Sequence, residues 1–108
     1  MSTAWDWSFP AEIIICDPQG MIVQMNRTAV ENYAADLTGQ NVFDHHEEPA
    51  RSQVRGVVAG REPVLYTTEK AGQKKLVTIA PWYRDGQYAG FSLLVLDLPP
   101  HIPNIVKG

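Results

Sequence analysis

A short run of β-branched residues near the start of the chain constrains the fold more than any other feature. Ile13-Ile14-Ile15-Cys16 is apolar at every position rather than at alternate positions. A strand of this kind is typically buried on both faces, so it lies in the middle of a sheet. Asp17-Pro18-Gln19-Gly20 then has the chemistry of a type I turn, and Met21–Met25 is the return strand. The chain therefore opens with a hairpin whose first strand has a further neighbour.

The C-terminal half supplies that neighbour. Apolar and aromatic runs flank Asp85-Gly86, a dipeptide that type I′ hairpin turns prefer. We predict strands over 64–68, from 76 through 83 and over 88–98. Between the two β regions we predict a helix over 27–35 capped by Asn26, a short turn at 44–47 and a helix from Pro49 to Gly60. This order predicts an α+β domain with one antiparallel sheet and helices on one face.

Composition restricts the class of protein. The chain has 108 residues, 44% of them hydrophobic, and 12 Asp+Glu against 9 Lys+Arg. These values fit one globular domain, and the acidic balance disfavours a nucleic-acid partner. No apolar run is long enough to span a membrane, the N-terminus lacks the features of a signal peptide, and the single Cys16 excludes an internal disulfide. We therefore expect a cytoplasmic protein with no membrane partner.

Segments in the order of these elements resemble the PAS domain family. They are Ile13–Ile22 at the opening hairpin, Met25–Ala29 at the first helix, Gly39–Asp44 before the long helix and Trp82–Phe91 at the final hairpin. The stretches His46–Pro49 and Tyr66–Lys70 are most similar to short bacterial proteins consisting of one PAS domain. The resemblance covers residues 10–98. It implies a five-stranded antiparallel sheet in the order 2-1-5-4-3, holding a pocket against the helices, with residues 1–9 as an aromatic N-terminal segment and 99–108 as a Pro-rich tail.

The resemblance also implies candidate site residues. In that fold a set of apolar positions converges on a ligand pocket between the long helix and the sheet: Tyr33, Phe43, Val54, Tyr66 and Leu76. Plain core packing is the alternative for them. His45 and His46 stand where some haem-binding members carry an axial ligand, but an exposed capping turn beside Glu47 and Glu48 is the preferred explanation for them. The cofactor is left unknown, and no metal site is predicted, because adjacent histidines without further ligands suit zinc poorly.

The N-terminal aromatics suggest a partner. Trp5, Trp7 and Phe9 alternate in a segment with nothing local to pack against, so they cover either their own sheet or that of a second copy. PAS domains often dimerise through residues before the first strand, which makes these three candidate dimer contacts. These 108 residues include no effector domain, so either the sequence is part of a longer protein or a separate effector protein is the other expected partner.

The predicted function is a sensory signal-transduction module that acts by sensing a small ligand, by protein–protein interaction, or by both. One alternative is a homodimerisation module with a filled core, and distant alternatives are a haem sensor and a small enzyme. We predict no catalysis, because the sequence shows no Ser-His-Asp set, phosphate-binding glycine loop or suitably paired carboxylates. Cys16 lies at a strand end, outside the helical motif of flavin photosensors, and is expected to be a core residue.

Overall fold

A computed structural model describes residues 7–108 of the chain. Between Glu12 and Leu98 the strands form one antiparallel sheet in the order β2-β1-β5-β4-β3, as predicted. The elements in chain order are β1 Glu12–Cys16, β2 Ile22–Met25, α1 Arg27–Tyr33, a 3₁₀ helix Val42–His45, α2 Ala50–Gly60, β3 Val64–Lys70, β4 Gln73–Arg84 and β5 Gln87–Leu98.

Strand β1 has the predicted central position, paired with β2 on one side and β5 on the other. Its two faces differ, however. Ile14 and Cys16 are completely buried, whereas Ile13 and Ile15 are only half-buried. The expectation of burial on both faces is therefore wrong in degree, because α1 and α2 contribute to the core on one side of the sheet only. We call the helix-covered side the inner face and the other side the outer face.

The predicted hairpin turns have the expected local chemistry. The Asp17 carboxylate accepts from the backbone N–H groups of Gln19 and Met21, both at 2.9 Å, which closes the β1–β2 turn. At the β4–β5 turn, Asp85 and Gly86 both have positive φ, at 51° and 77°. Type I′ turns need positive φ at both central residues, and this backbone twist suits a two-residue hairpin connection.

Asn26 caps α1 as predicted and also joins it to β1. Its side-chain oxygen accepts from the backbone N–H of Ala29 at 3.0 Å and from that of Ile13 at 2.9 Å. Its amide group donates to the Ala11 carbonyl at 2.7 Å. Because Asn26 is almost fully buried, one side chain provides the hydrogen bonds that fix the first helix against the central strand.

The region between the two helices differs from the prediction in detail. Helix α1 ends at Tyr33 because Ala34 takes a left-handed conformation, with φ of 58°. In place of the turn expected at 44–47, the structure has the 3₁₀ helix Val42–His45. The backbone N–H of Phe43 donates to the side-chain oxygen of Asn41 and so caps this helix. Helix α2 begins after Pro49 and ends at Gly60, as expected. It buries Val54 and Val57 against the sheet.

The core lies on the inner face. One row of paired residues crosses four strands, from Ile14 through Leu93 and Ile79 to Val64. The first three are at most 1% exposed. Beyond Leu98, the residues 99–108 have no helix or strand and are exposed.

Candidate functional site

Most of the predicted pocket residues surround the same part of the core. Tyr33, Phe43 and Tyr66 pack against the buried cluster that includes Val54. The Phe43 ring lies 6.2 Å from the ring of buried Phe91, measured between centroids. These four side chains thus lie together at the core on the helix-covered side of the sheet, and ligand binding by them stays a prediction.

Leu76 does not belong to this group, and its assignment to the pocket is corrected. It precedes Val77, which is buried on the inner face, and successive side chains of a strand point to opposite faces. Leu76 also pairs with Leu96 of β5 rather than with a core residue. It therefore lies on the outer face.

His46 is built into the boundary between the helices. Its Nδ1 lies 3.1 Å from the Val42 carbonyl oxygen, so this nitrogen carries the proton and donates. Its Nε2 lies 3.3 Å from the Tyr33 hydroxyl, and in the neutral ring it accepts from that group. Both ring nitrogens are thus engaged, which does not fit an axial ligand of haem iron in this arrangement.

His45 faces a different environment. It is exposed, and its Nε2 lies 2.8 Å from the side-chain oxygen of Gln40. No group of three or more His, Cys, Asp or Glu side chains within residues 7–108 is arranged to hold a metal ion. Cys16 is fully buried, and burial raises the pKa of its thiol to about 12, so it remains a protonated core residue.

We expect acid to weaken the fold through His46. Burial lowers the pKa of its imidazole below the ordinary 6.5. Below pH 6.5 the unfolded chain therefore takes up a proton that the folded chain refuses, and stability falls as the pH approaches the lowered pKa. Urea midpoints between about pH 7 and pH 5.5 measure this loss. His46→Gln should flatten the slope, whereas the control His45→Gln should keep it; equal slopes for wild type and His46→Gln would contradict the expectation.

Glu12 is a buried polar residue that the sequence reasoning missed. It is 6% exposed on the inner face of β1, and its carboxylate accepts from the side-chain amide of Asn32 at 3.1 Å. Burial raises its pKa, while the bond from Asn32 and the charge of Lys75 act in the opposite direction. Position 12 is in phase with Ile14 and Cys16, and this alternation was the signal available in the sequence.

The outer face of the sheet carries apolar side chains that α1 and α2 do not cover. Paired residues Ile13, Leu94, Thr78 and Leu65 form a row across it. Leu65 is 64% exposed and the others in the row are half-buried. By strand alternation and pairing, the large apolar residues on this face of β1, β3, β4 and β5 include Ile13, Ile15, Leu65, Leu76, Leu94, Leu96 and Leu98.

Trp7 and Phe9 lie close to the start of α1. The Phe9 carbonyl accepts from the Thr28 hydroxyl at 2.9 Å. The Arg27 guanidinium lies 5.8 Å from the centroid of the Trp7 ring. Trp7 and Phe9 are each 38% exposed, and Trp5, the third predicted dimer contact, lies outside the described residues. Their role as dimer contacts stays a prediction.

Comparison with known proteins gives a match at the level of structure. No family model matches the sequence, and no curated protein matches it significantly. A sensory box sensor histidine kinase from Vibrio cholerae matches with a TM-score of 0.70 and 15% identity, over 90% of this chain and 87% of that chain. The PAS domain of histidine kinase ThkA matches with a TM-score of 0.69 and 18% identity, over 81% of this chain and 99% of that domain. The chain has the PAS fold.

A third similar structure is relevant to the haem alternative. The PAS fold described here matches the Aer2 receptor from Vibrio cholerae, a dual PAS-heme oxygen sensor, with a TM-score of 0.65 and 20% identity. The match covers 82% of this chain and 95% of that one. At this level of identity the likeness carries the fold alone. Among residues 7–108, no helix has the length and apolar composition needed to cross a bilayer.

Proposed function

We propose that this PAS domain is a sensory signal-transduction module that acts by protein–protein interaction, as a homodimer formed through the outer face of its sheet. The observation that carries the proposal is the row Ile13-Leu94-Thr78-Leu65, apolar except for Thr78, which neither α1 nor α2 covers. The PAS domains of sensor histidine kinases among the similar structures support the sensory role. The single, buried Cys16 supports a reducing cytoplasm as its compartment.

The close burial of side chains at the centre of the inner face is our reason for proposing interaction rather than a ligand held in the predicted pocket. Phe91, Ile14 and Leu93 occupy the centre of the inner face with at most 1% exposure. A two-fold pair, in contrast, would cover both outer faces with one self-complementary contact. The loss of freedom on association offsets part of this gain. We therefore expect a dissociation constant in the micromolar range.

A charge at the centre of the outer face tests the dimer. Leu94 belongs to β5, which pairs with β1 and β4 on its two sides. In the dimer, Leu94→Lys would bury an unpaired ammonium, and we expect the dissociation constant of the dimer to rise at least about thirtyfold. Sedimentation equilibrium measures the change. Gln53→Lys is the matched control, because it adds the same charge at an exposed position of α2.

A second arm separates loss of the dimer from loss of folding. Leu65→Lys changes an outer-face residue that is already 64% exposed, so the folded monomer should tolerate it while the dimer weakens. The combined variant Trp5→Ser, Trp7→Ser, Phe9→Ser tests the N-terminal contacts in the same way. A wild-type chain that stays monomeric at high concentration would contradict the proposal, and so would Leu94→Lys and Leu65→Lys variants that dimerise like Gln53→Lys.

A further inference from the structure

The β3–β4 hairpin forms a concave bay at one end of the inner face. An open cleft of about 470 Å³ is lined there by Thr68, Lys70, Ala71, Gln73 and Lys75, and we call it the hairpin bay. Its floor continues the core side of the sheet. Thr68 and Lys75 pair with each other across the hairpin. Each lies two residues from a residue of the core region, Tyr66 on β3 and Val77 on β4, so both are on the inner face.

The charged side chains that line the hairpin bay are all positive. Lys70 and Lys75 line it, and none of the lining residues carries a carboxylate. Asp97, which lies 3.7 Å from the Lys75 ammonium, is 75% exposed and is not part of the lining. The neighbouring pair, Lys74 with Glu69, lines a separate cleft of about 270 Å³ together with Leu98. Strand alternation places Lys74 on the opposite face from Lys75.

The remaining lining suits a ligand with an apolar body. Ala71, the Thr68 methyl group and the methylene chains of the two lysines are apolar, and Tyr66 stands beside Thr68 on the same face of β3. The volume falls in the range of small-molecule sites. Ammonium groups act as compact point charges, and the bay offers no arginine fork for the two-oxygen clamp that favours phosphate.

We propose that the hairpin bay binds a small organic acid, with the carboxylate between Lys70 and Lys75 and the apolar body directed toward Tyr66. This deepens, and rests on, the sensory part of the proposed function, but it does not need the dimer. Lys75 also connects the hairpin bay electrostatically with the interior. The charge of Lys75 acts on buried Glu12, and Glu12 is hydrogen-bonded to Asn32 of α1. An anion bound beside Lys75 therefore reduces the effect of its positive charge on the Glu12 carboxylate, which is hydrogen-bonded to α1.

The test is a titration followed by ¹⁵N NMR of the full chain. Benzoate is the probe, benzamide is its neutral isostere, and inorganic phosphate is an anion without an apolar body. We expect benzoate to shift the amide signals of Thr68, Lys70 and Lys75 and the side-chain amide of Asn32. Lys70→Met and Lys75→Met, which keep the apolar chains, should each weaken benzoate binding about fivefold. Lys74→Met is the matched control and should bind benzoate like the wild type.

Several results would overturn the assignment. They are the absence of benzoate shifts at millimolar concentrations, equal binding of benzamide, equal binding of phosphate, and a loss for Lys74→Met as large as that for Lys75→Met. Sedimentation of the same samples keeps the two proposals apart. A dimer that binds no benzoate overturns the ligand alone, whereas a monomer that binds benzoate with the expected lysine dependence overturns the dimer alone.

Discussion

Replacing Gly90 with alanine is expected to unfold the domain, or to lower the free energy of unfolding by at least about 4 kcal/mol. A Cβ atom at this position would lie 1.9 Å from the Cys16 carbonyl oxygen and 2.9 Å from the Asp17 Cα. These are backbone atoms, so no side-chain rotation relieves the contact. Gly90 also has φ of +137°, which L-residues rarely adopt. Relief of the clash requires β1 and β5 to separate where Cys16 pairs with Phe91.

Two other glycines separate the causes of this loss. Gly86 has positive φ but open space around it, so Gly86→Ala should cost only about 1–2 kcal/mol. Gly56 lies in α2 with nothing within 4 Å of the added carbon, so Gly56→Ala should stabilise the domain by about 0.8–1 kcal/mol. Urea unfolding followed by circular dichroism gives all three values. A Gly90→Ala variant no less stable than Gly86→Ala would show that the close approach of β1 and β5 is wrong.

Removing the side chain of Asn26 is expected to have the second largest effect. Asn26→Ala deletes the acceptor of the Ile13 and Ala29 N–H groups and the donor to the Ala11 carbonyl. Loss of a helix cap costs about 1 kcal/mol, and each buried group left without a partner costs about 1–3 kcal/mol. Because Asn26 and Ala11 are both about 1% exposed, water cannot readily replace these bonds. We expect a loss of about 3–4 kcal/mol in urea unfolding.

The aspartate variant separates the contribution of the accepting oxygen of Asn26 to stability from that of its donating amide nitrogen. Asn26→Asp keeps the accepting oxygen, but its ionised form cannot donate to Ala11, so it should be unstable at neutral pH and partly recover in acid, where the protonated carboxyl donates. Asn41→Ala is the matched control, because Asn41 caps the 3₁₀ helix at a less buried site. It should cost about 1 kcal/mol. Equal losses for Asn26→Ala and Asn41→Ala would contradict the joining role of Asn26.

Local chemistry explains the parts of the fold that the sequence predicted well. Asp17, the Asp85-Gly86 pair and Asn26 as the cap of α1 act on backbone groups within a few residues, so these roles follow from neighbouring positions. The bonds of Asn26 to Ile13 and Ala11 span 13 and 15 residues and were not predicted. The central position of β1 was predicted correctly for a similar reason, since an unbroken apolar run indicates neighbours on both sides.

The parts that were missed depend on which face a strand side chain meets. Leu76 and Val77 are both apolar, so the sequence does not tell which one the helices cover, and a shift of one residue in register exchanges their faces. Glu12 alternates in phase with Ile14 and Cys16, but the partner that satisfies its buried carboxylate, Asn32, lies 20 residues away on α1. The hydrogen bonds of His46 likewise depend on Tyr33, 13 residues earlier, which the pattern of adjacent histidines does not reveal.

The most direct test of the central claim is to detect contacts between two copies at the outer face. In a mixture of isotope-labelled and unlabelled chains, filtered NMR experiments report only contacts between different molecules. We predict intermolecular signals at the methyl groups of Ile13, Leu94 and Leu96, together with signals from the aromatic protons of Trp7 and Phe9 of the other copy. Intermolecular signals confined to the helical side, at residues such as Val58, or no such signals at millimolar concentration, would contradict the account.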